Sequence, residues 1–146
     1  MSLLIAKLRA HLQNLYDANP YVTFLQMSID ELSEAQVCLS MPIVREHTNL
    51  FGVAHGGALA SLADTAMGVA CATTGKKVLT IDMNINYIRS ATVNTRIQAI
   101  GRVIHNGNHT LVAEAEILDE AGQLLAKSRG TFFAAGYFLE ESEATS

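Results

Sequence analysis

Between Gly56 and Ala72 the chain reads GGALASLADTAMGVACA, and Asp64 is the only ionisable side chain there apart from Cys71. A carboxylate in such apolar company needs a partner or a task. Two tasks suit it: taking a proton from water as a general base, or attacking a carbonyl carbon directly. Just upstream lies a polar cluster, His47-Thr48-Asn49, followed by His55-Gly56-Gly57. Glycines are poor helix formers. At a helix start, however, they leave backbone N–H groups open, and those groups bind an oxygen carrying negative charge. A developing oxyanion fits such a place. The glycines could equally serve only to ease the helix start in a tight loop. His55 could donate to a substrate carbonyl or orient the loop, and Asn49 could hold a carbonyl or a water. Asp64 has a structural alternative too, hydrogen bonding to hydroxyls such as those of Ser61 or Thr65.

The spacing adds a constraint. Gly57 and Asp64 lie on nearly one helix face but ~10 Å apart along the axis. That is far for one group to hold a carbonyl oxygen while the other acts on the same carbon. Two antiparallel copies of the helix, one from each of two subunits, would bring Asp64 of one to Gly57 of the other. The pattern therefore predicts a homodimer with two composite sites. No metal is expected, because His47, His55, Asp64 and Asp82 match neither HExxH nor another strong ligand spacing. Cys38 and Cys71 form no CxxC pair and read as core residues. A Ser-His-Asp mechanism has no GxSxG turn to carry it.

The elements that must position these residues follow from periodicity. Residues 3–16 carry an amphipathic helical pattern, with Ser2 as its cap and Pro20 as its end. Tyr21–Ile29 and Ala35–Met41 read as strands around a polar turn at Asp30–Ser33. Residues 42–54 form an irregular loop. The apolar helix spans 56–73 and closes at Thr73-Thr74-Gly75. Next comes strict alternation, with Leu79, Ile81, Met83, Ile85 and Tyr87 on one face and Thr80, Asp82, Asn84 and Asn86 on the other. Strands at 95–104, 111–118 and 124–133 follow, joined by the Asn106-Gly107 and Asp119–Gly122 turns. Short turns demand antiparallel pairing. A helix with so few charges must be covered on nearly every face. The expected class is α+β: one curved antiparallel sheet wrapped around a long central helix. The acidic residues 137–146 read as a frayed tail.

Bulk properties narrow the function. The 146 residues suit a single domain, 1–146. A net charge of −4 argues against a nucleic-acid binder. The apolar helix is shorter than the ~20 residues that span a bilayer and carries Asp64 in its middle, so no membrane partner is expected. No signal-peptide pattern opens the chain, and a cytoplasmic location is expected.

Asn49, His55-Gly56-Gly57 and Leu62-Ala63-Asp64 together resemble the hotdog-fold acyl-CoA thioesterases of the phenylacetate-degradation (PaaI-like) type. Thr80–Arg89 resembles the family's strand after the central helix, and Ser128–Phe132 its last core strand. The resemblance covers roughly residues 35–135. It implies a hotdog fold assembled as a dimer and usually a tetramer, and hydrolysis of an acyl-CoA thioester to a carboxylic acid and free coenzyme A. Coenzyme A would be part of the substrate, with no further cofactor. By the same resemblance Asp64 is the base or nucleophile, and the Gly57 amide polarises the carbonyl. His55 and Asn49 orient the reacting groups, and Thr80 supports the site. Gly56 and Phe51, with Leu62 and Met67, would shape the substrate slot near the N-terminal helix. Arg89 and Arg129 are candidates for the coenzyme A phosphates. The alternatives are a non-catalytic acyl-CoA-binding protein and a hotdog hydratase or dehydratase.

Overall fold

The computed structural model describes residues 2–138. Helix α1 (Leu3–Asp17) begins where the Ser2 hydroxyl accepts the Ile5 N–H, and it buries Ile5, Leu8 and Leu12. A short helix α2 (Pro20–Leu25) follows, where a strand was expected. Asn19 explains the difference. Its side chain accepts the N–H groups of both Tyr21 and Val22, and Pro20 supplies a helical φ at the first position. These local bonds override the β preference of Tyr-Val-Thr-Phe.

Six strands form one antiparallel sheet: β1 (Ser28–Ser33), β2 (Gln36–Pro42), β3 (Lys76–Tyr87), β4 (Arg96–Asn106), β5 (Thr110–Leu118) and β6 (Leu124–Tyr137), in the order β1-β2-β4-β5-β6-β3. The β1–β2 turn falls at Glu34-Ala35, with Ala35 at φ 64. Asp30–Ser33, expected as that turn, belongs to β1. The central helix α3 (Gly56–Ala72) crosses the concave face and touches β2, β3, β4, β5 and β6. This is the wrapped sheet that the apolar helix demanded and the hotdog arrangement that the resemblance implied.

Small residues let helix and sheet approach closely. Ala63, Ala66 and Ala70 on α3 and Ala99, Ala113 and Ala115 on the strands are all buried. Gly101 marks the tightest point, since a Cβ there would lie 2.5 Å from the Ala66 carbonyl oxygen. Ten α3 residues are buried, and the remaining seven are Gly56, Gly57, Ala60, Ser61, Asp64, Thr65 and Gly68. Gly57, Ser61, Asp64 and Gly68 follow the i, i+4, i+7, i+11 spacing of one helical face. That face is the one the sheet does not cover.

The β3 edge departs from simple alternation. Bulges fall between Lys77 and Val78 and between Thr80 and Asp82. Leu79 and Ile81 are more than half exposed (64% and 57%), whereas Met83 and Ile85 pack against the core, so the irregularity at Ile81 splits the apolar face that the pattern predicted. Of the C-terminal tail expected at 137–146, Tyr137 belongs to β6, and residues 139–146 lie outside the described residues.

Candidate active site

Asp64 sits half-buried on the open face of α3, and the Thr80 hydroxyl of β3 donates to its Oδ1 at 2.7 Å. Of the structural partners considered above, Ser61 is engaged elsewhere: its hydroxyl donates to the Gly57 carbonyl at 2.8 Å. The bulge after Thr80 matters here, because it lets Thr80 face the helix while Ile81 projects from the edge.

The start of α3 is built by its own residues. His55 is the N-cap, and its Nδ1 accepts the Gly57 N–H at 2.8 Å. A ring nitrogen that accepts carries no proton, so in the neutral ring the N–H is on Nε2. A Cβ on Gly57 would lie 3.0 Å from His55 Nδ1, which ties that glycine to the cap. The Gly57 amide, expected to stand open at the helix start, is therefore engaged by the cap. Gly56 has a different neighbour: the Tyr87 hydroxyl donates to its carbonyl at 2.7 Å, and the Tyr87 ring lies 3.3 Å from where a Cβ would stand. Tyr87, placed by alternation on an apolar strand face, is thus a polar brace of the helix start.

Asn49 shapes the approaching loop. Its Oδ1 accepts from Phe51 N at 2.9 Å and from Val53 N at 3.4 Å, and its amide N–H groups make no bond among the described residues. Asn49, Gly56, Tyr87 and Arg89 border one hollow of about 310 Å³. His47 belongs to the scaffold. It is buried, with Nδ1 3.0 Å from the Pro42 oxygen and Nε2 3.1 Å from the Phe24 oxygen, tying the loop to β2 and α2.

Asp64 and Thr80 also border a second cavity, of about 560 Å³. Leu12, Leu15 and Tyr16 of α1 and Val22 of α2 form one side, and Thr65, Gly68, Val69 and Ala72 of α3 another. Val78, Phe132 and Phe138 complete it. Burial, and then the charge of Asp64, hold the Tyr16 phenol well above its ordinary range, so it stays a neutral O–H beside the carboxylate. Nothing in the sequence marks Tyr16 or Phe138 as a site residue. They reach the site only through tertiary packing, and neither carries a local motif.

Four expected site residues stand elsewhere. Leu62 and Met67 are fully enclosed in the core, on the sheet-facing side of α3, and border neither cavity. Phe51 is 87% exposed at a loop tip. Arg129 lies on the convex sheet face, paired with Glu114. That guanidinium holds the Glu114 carboxyl below its usual range. Among the described residues no three His, Cys, Asp or Glu side chains gather as a metal site would require.

Residues 51–126 match the family model described as the thioesterase superfamily. The 1,4-dihydroxy-2-naphthoyl-CoA hydrolase of Escherichia coli is 32% identical over 113 residues, covering 75% of this chain and 82% of that protein. The structure of the E. coli PaaI protein, from the phenylacetic acid degradation operon, superposes with a TM-score of 0.86 at 26% identity, covering 92% of this chain and 97% of that one. A Streptococcus mutans protein solved with bound acetyl-CoA superposes at 0.74 with 27% identity, covering 76% and 90%. With the helix-wrapping sheet and half of its length matched by the family model, this chain belongs to the thioesterase superfamily, as a hotdog-fold enzyme of the PaaI-like acyl-CoA thioesterases.

Proposed function

We infer that the chain hydrolyses an acyl-CoA thioester with Asp64 as the reacting carboxylate, at a site completed by a second copy of the chain. The observation that carries this reading is Asp64 itself. It is the one charge on the open face of a buried helix, held by Thr80 and facing an apolar cavity. The acetyl-CoA complex of the S. mutans relative supports the substrate class.

The edge strand β3 supports the dimer. It is long, it carries Leu79 and Ile81 exposed, and no strand among the described residues pairs with its outer edge. Such an edge invites pairing with another chain. An isologous contact between two β3 strands would continue the sheet and set the α3 helices antiparallel. Asp64 of one protomer then works against the His55-Gly56-Gly57 turn of the other, which removes the ~10 Å problem.

In this arrangement the thioester oxygen accepts the Gly57 N–H after His55 turns aside, and His55 Nε2–H and the Asn49 amide stand as further donors. Thr80 fixes Asp64 Oδ1. The carboxylate takes a proton from water as the water oxygen bonds to the carbonyl carbon, or attacks that carbon itself to give an anhydride that water opens. Collapse of the tetrahedral intermediate breaks the C–S bond. The thiolate leaves and takes up the proton, giving the free acid and coenzyme A. Arg89, beside the helix-start hollow, is the candidate contact for the coenzyme A phosphates. No cofactor beyond the substrate enters this chemistry, and the chain would work wherever acyl-CoA is present, the cytoplasm being the expected place.

The test is thiol release from a panel of acyl-CoA esters by the wild-type chain and by Asp64→Asn. Turnover by the wild type, lost in the variant, supports the reading. Tight binding of acyl-CoA without thiol release by the wild type would instead mark an acyl-CoA-binding protein.

A further inference from the structure

The cavity beside Asp64 has a direction. Its α3 wall is Asp64, Thr65, Gly68, Val69 and Ala72, which follow i, i+1, i+4, i+5, i+8 spacing. Residues so spaced form one stripe along a helix. From Asp64 to Ala72 the stripe runs ~12 Å. The slot is therefore long and parallel to the helix axis. Its two ends differ. At the Asp64 end stand the carboxylate and the Thr80 hydroxyl. At the far end Val69 and Ala72 are almost closed to water, and Phe138 adds a further apolar wall. The middle is held open by an absent side chain: at Gly68 a Cβ would meet its nearest neighbour, Phe132, only at 4.0 Å. Helix α1 roofs the slot with Leu12 and Leu15.

The length of this stripe can be compared with an extended hydrocarbon chain. Three backbone bonds of an extended polymer span ~3.5 Å, so ~12 Å holds about ten bonds. We propose that the slot between α1 and α3 is the acyl chamber, that it takes a straight acyl chain of about eight to ten carbons, and that Gly68 and Phe138 set the chain-length limit. The proposal rests on the thioesterase reading and deepens it.

The test compares butyryl-, decanoyl- and palmitoyl-CoA. In Gly68→Leu the new side chain enters the slot about halfway, ~6 Å from Asp64 along the axis, and its Cβ stands in ordinary contact with Phe132 at 4.0 Å. The decanoyl-to-butyryl ratio of kcat/KM should fall about tenfold or more, as expected when a chain loses a few buried methylenes. In Phe138→Ala the far end opens, and the preference should move from decanoyl towards palmitoyl. Circular dichroism checks that each variant is folded. The same esters are also titrated onto Asp64→Asn by calorimetry, which reads the chamber without catalysis. Decanoyl-CoA should bind more tightly than butyryl-CoA there, and adding Gly68→Leu should abolish the difference. A ratio and an affinity difference indifferent to both substitutions would overturn the chamber, as would a wild type that prefers butyryl-CoA. Absence of thiol release from every ester, with length-dependent binding intact, would overturn the hydrolase reading and leave the chamber standing.

Discussion

Asp64 and Thr80 form a pair whose parts can be separated. Replacing Asp64 by Asn keeps the shape, and the side-chain oxygen can still accept from Thr80, but the base is gone. A loss of ~10²-fold or more in kcat is expected, in line with the usual contribution of a positioned base, with the thermal midpoint little changed. Thr80→Ala removes a hydrogen bond to a charged group, worth about 1.5–3 kcal/mol, and kcat should fall about ten- to a hundredfold while KM moves little. Thr80→Ser restores the hydroxyl and should recover most of the loss, which a purely packing role for Thr80 would not allow. At this scale the sequence was informative where a residue's chemistry is unusual for its surroundings. Asp64 stands out among alanines, and the His-Gly-Gly turn marks a helix start. Tyr16 and Tyr87 were illegible for the opposite reason. Each sits in a regular apolar pattern, and the atoms their hydroxyls face lie far away in sequence.

Helix α3 and the sheet depend on each other through small residues. Gly101→Ala would drive a Cβ into the Ala66 carbonyl, a backbone atom that cannot swing aside. Overpacking of this kind costs about 1–3 kcal/mol, so the thermal midpoint should fall by several degrees; an unchanged midpoint would show that the helix can shift on β4. Leu62→Ala tests the core placement of a residue first expected near substrate. A loss of ~2–5 kcal/mol in stability is expected, measured by urea unfolding, with little change in KM. The order of elements was legible because the periods are clear: one long apolar helix, then short strands with Asn-Gly and Asp-Glu-Ala-Gly turns. Helix α2 was not legible. Tyr-Val-Thr-Phe favours a strand, and only the double cap by Asn19 reverses it. The β1–β2 turn moved from 30–33 to 34–35 because Asp30 and Ser33 resemble turn residues yet lie on an edge strand, where polar side chains meet solvent.

The whole molecule, as a single chain, leaves an apolar edge uncovered and keeps the proposed partners of one reaction ~10 Å apart on one helix. Pairing through β3 answers both. Placing lysine at Leu79 and Ile81 together should therefore halve the mass seen by light scattering and abolish thiol release, since charged edge strands resist pairing. The alternation of residues 79–87 signalled an apolar face, but sequence periodicity alone does not say whether that face meets the same chain or another.

Subunit complementation tests the central claim most directly. Asp64→Asn lacks the carboxylate, and Gly57→Pro lacks the amide donor in the first helical turn, where the missing N–H breaks no helix bond, though the His55 ring must move from its place 3.0 Å from the new Cβ. Each variant alone should be inactive. Unfolded and refolded together in equal amounts, they should regain about a quarter of wild-type activity, because half of the dimers are mixed and each mixed dimer holds one intact site of two. Mixed dimers that form but release no thiol would contradict a site shared between protomers.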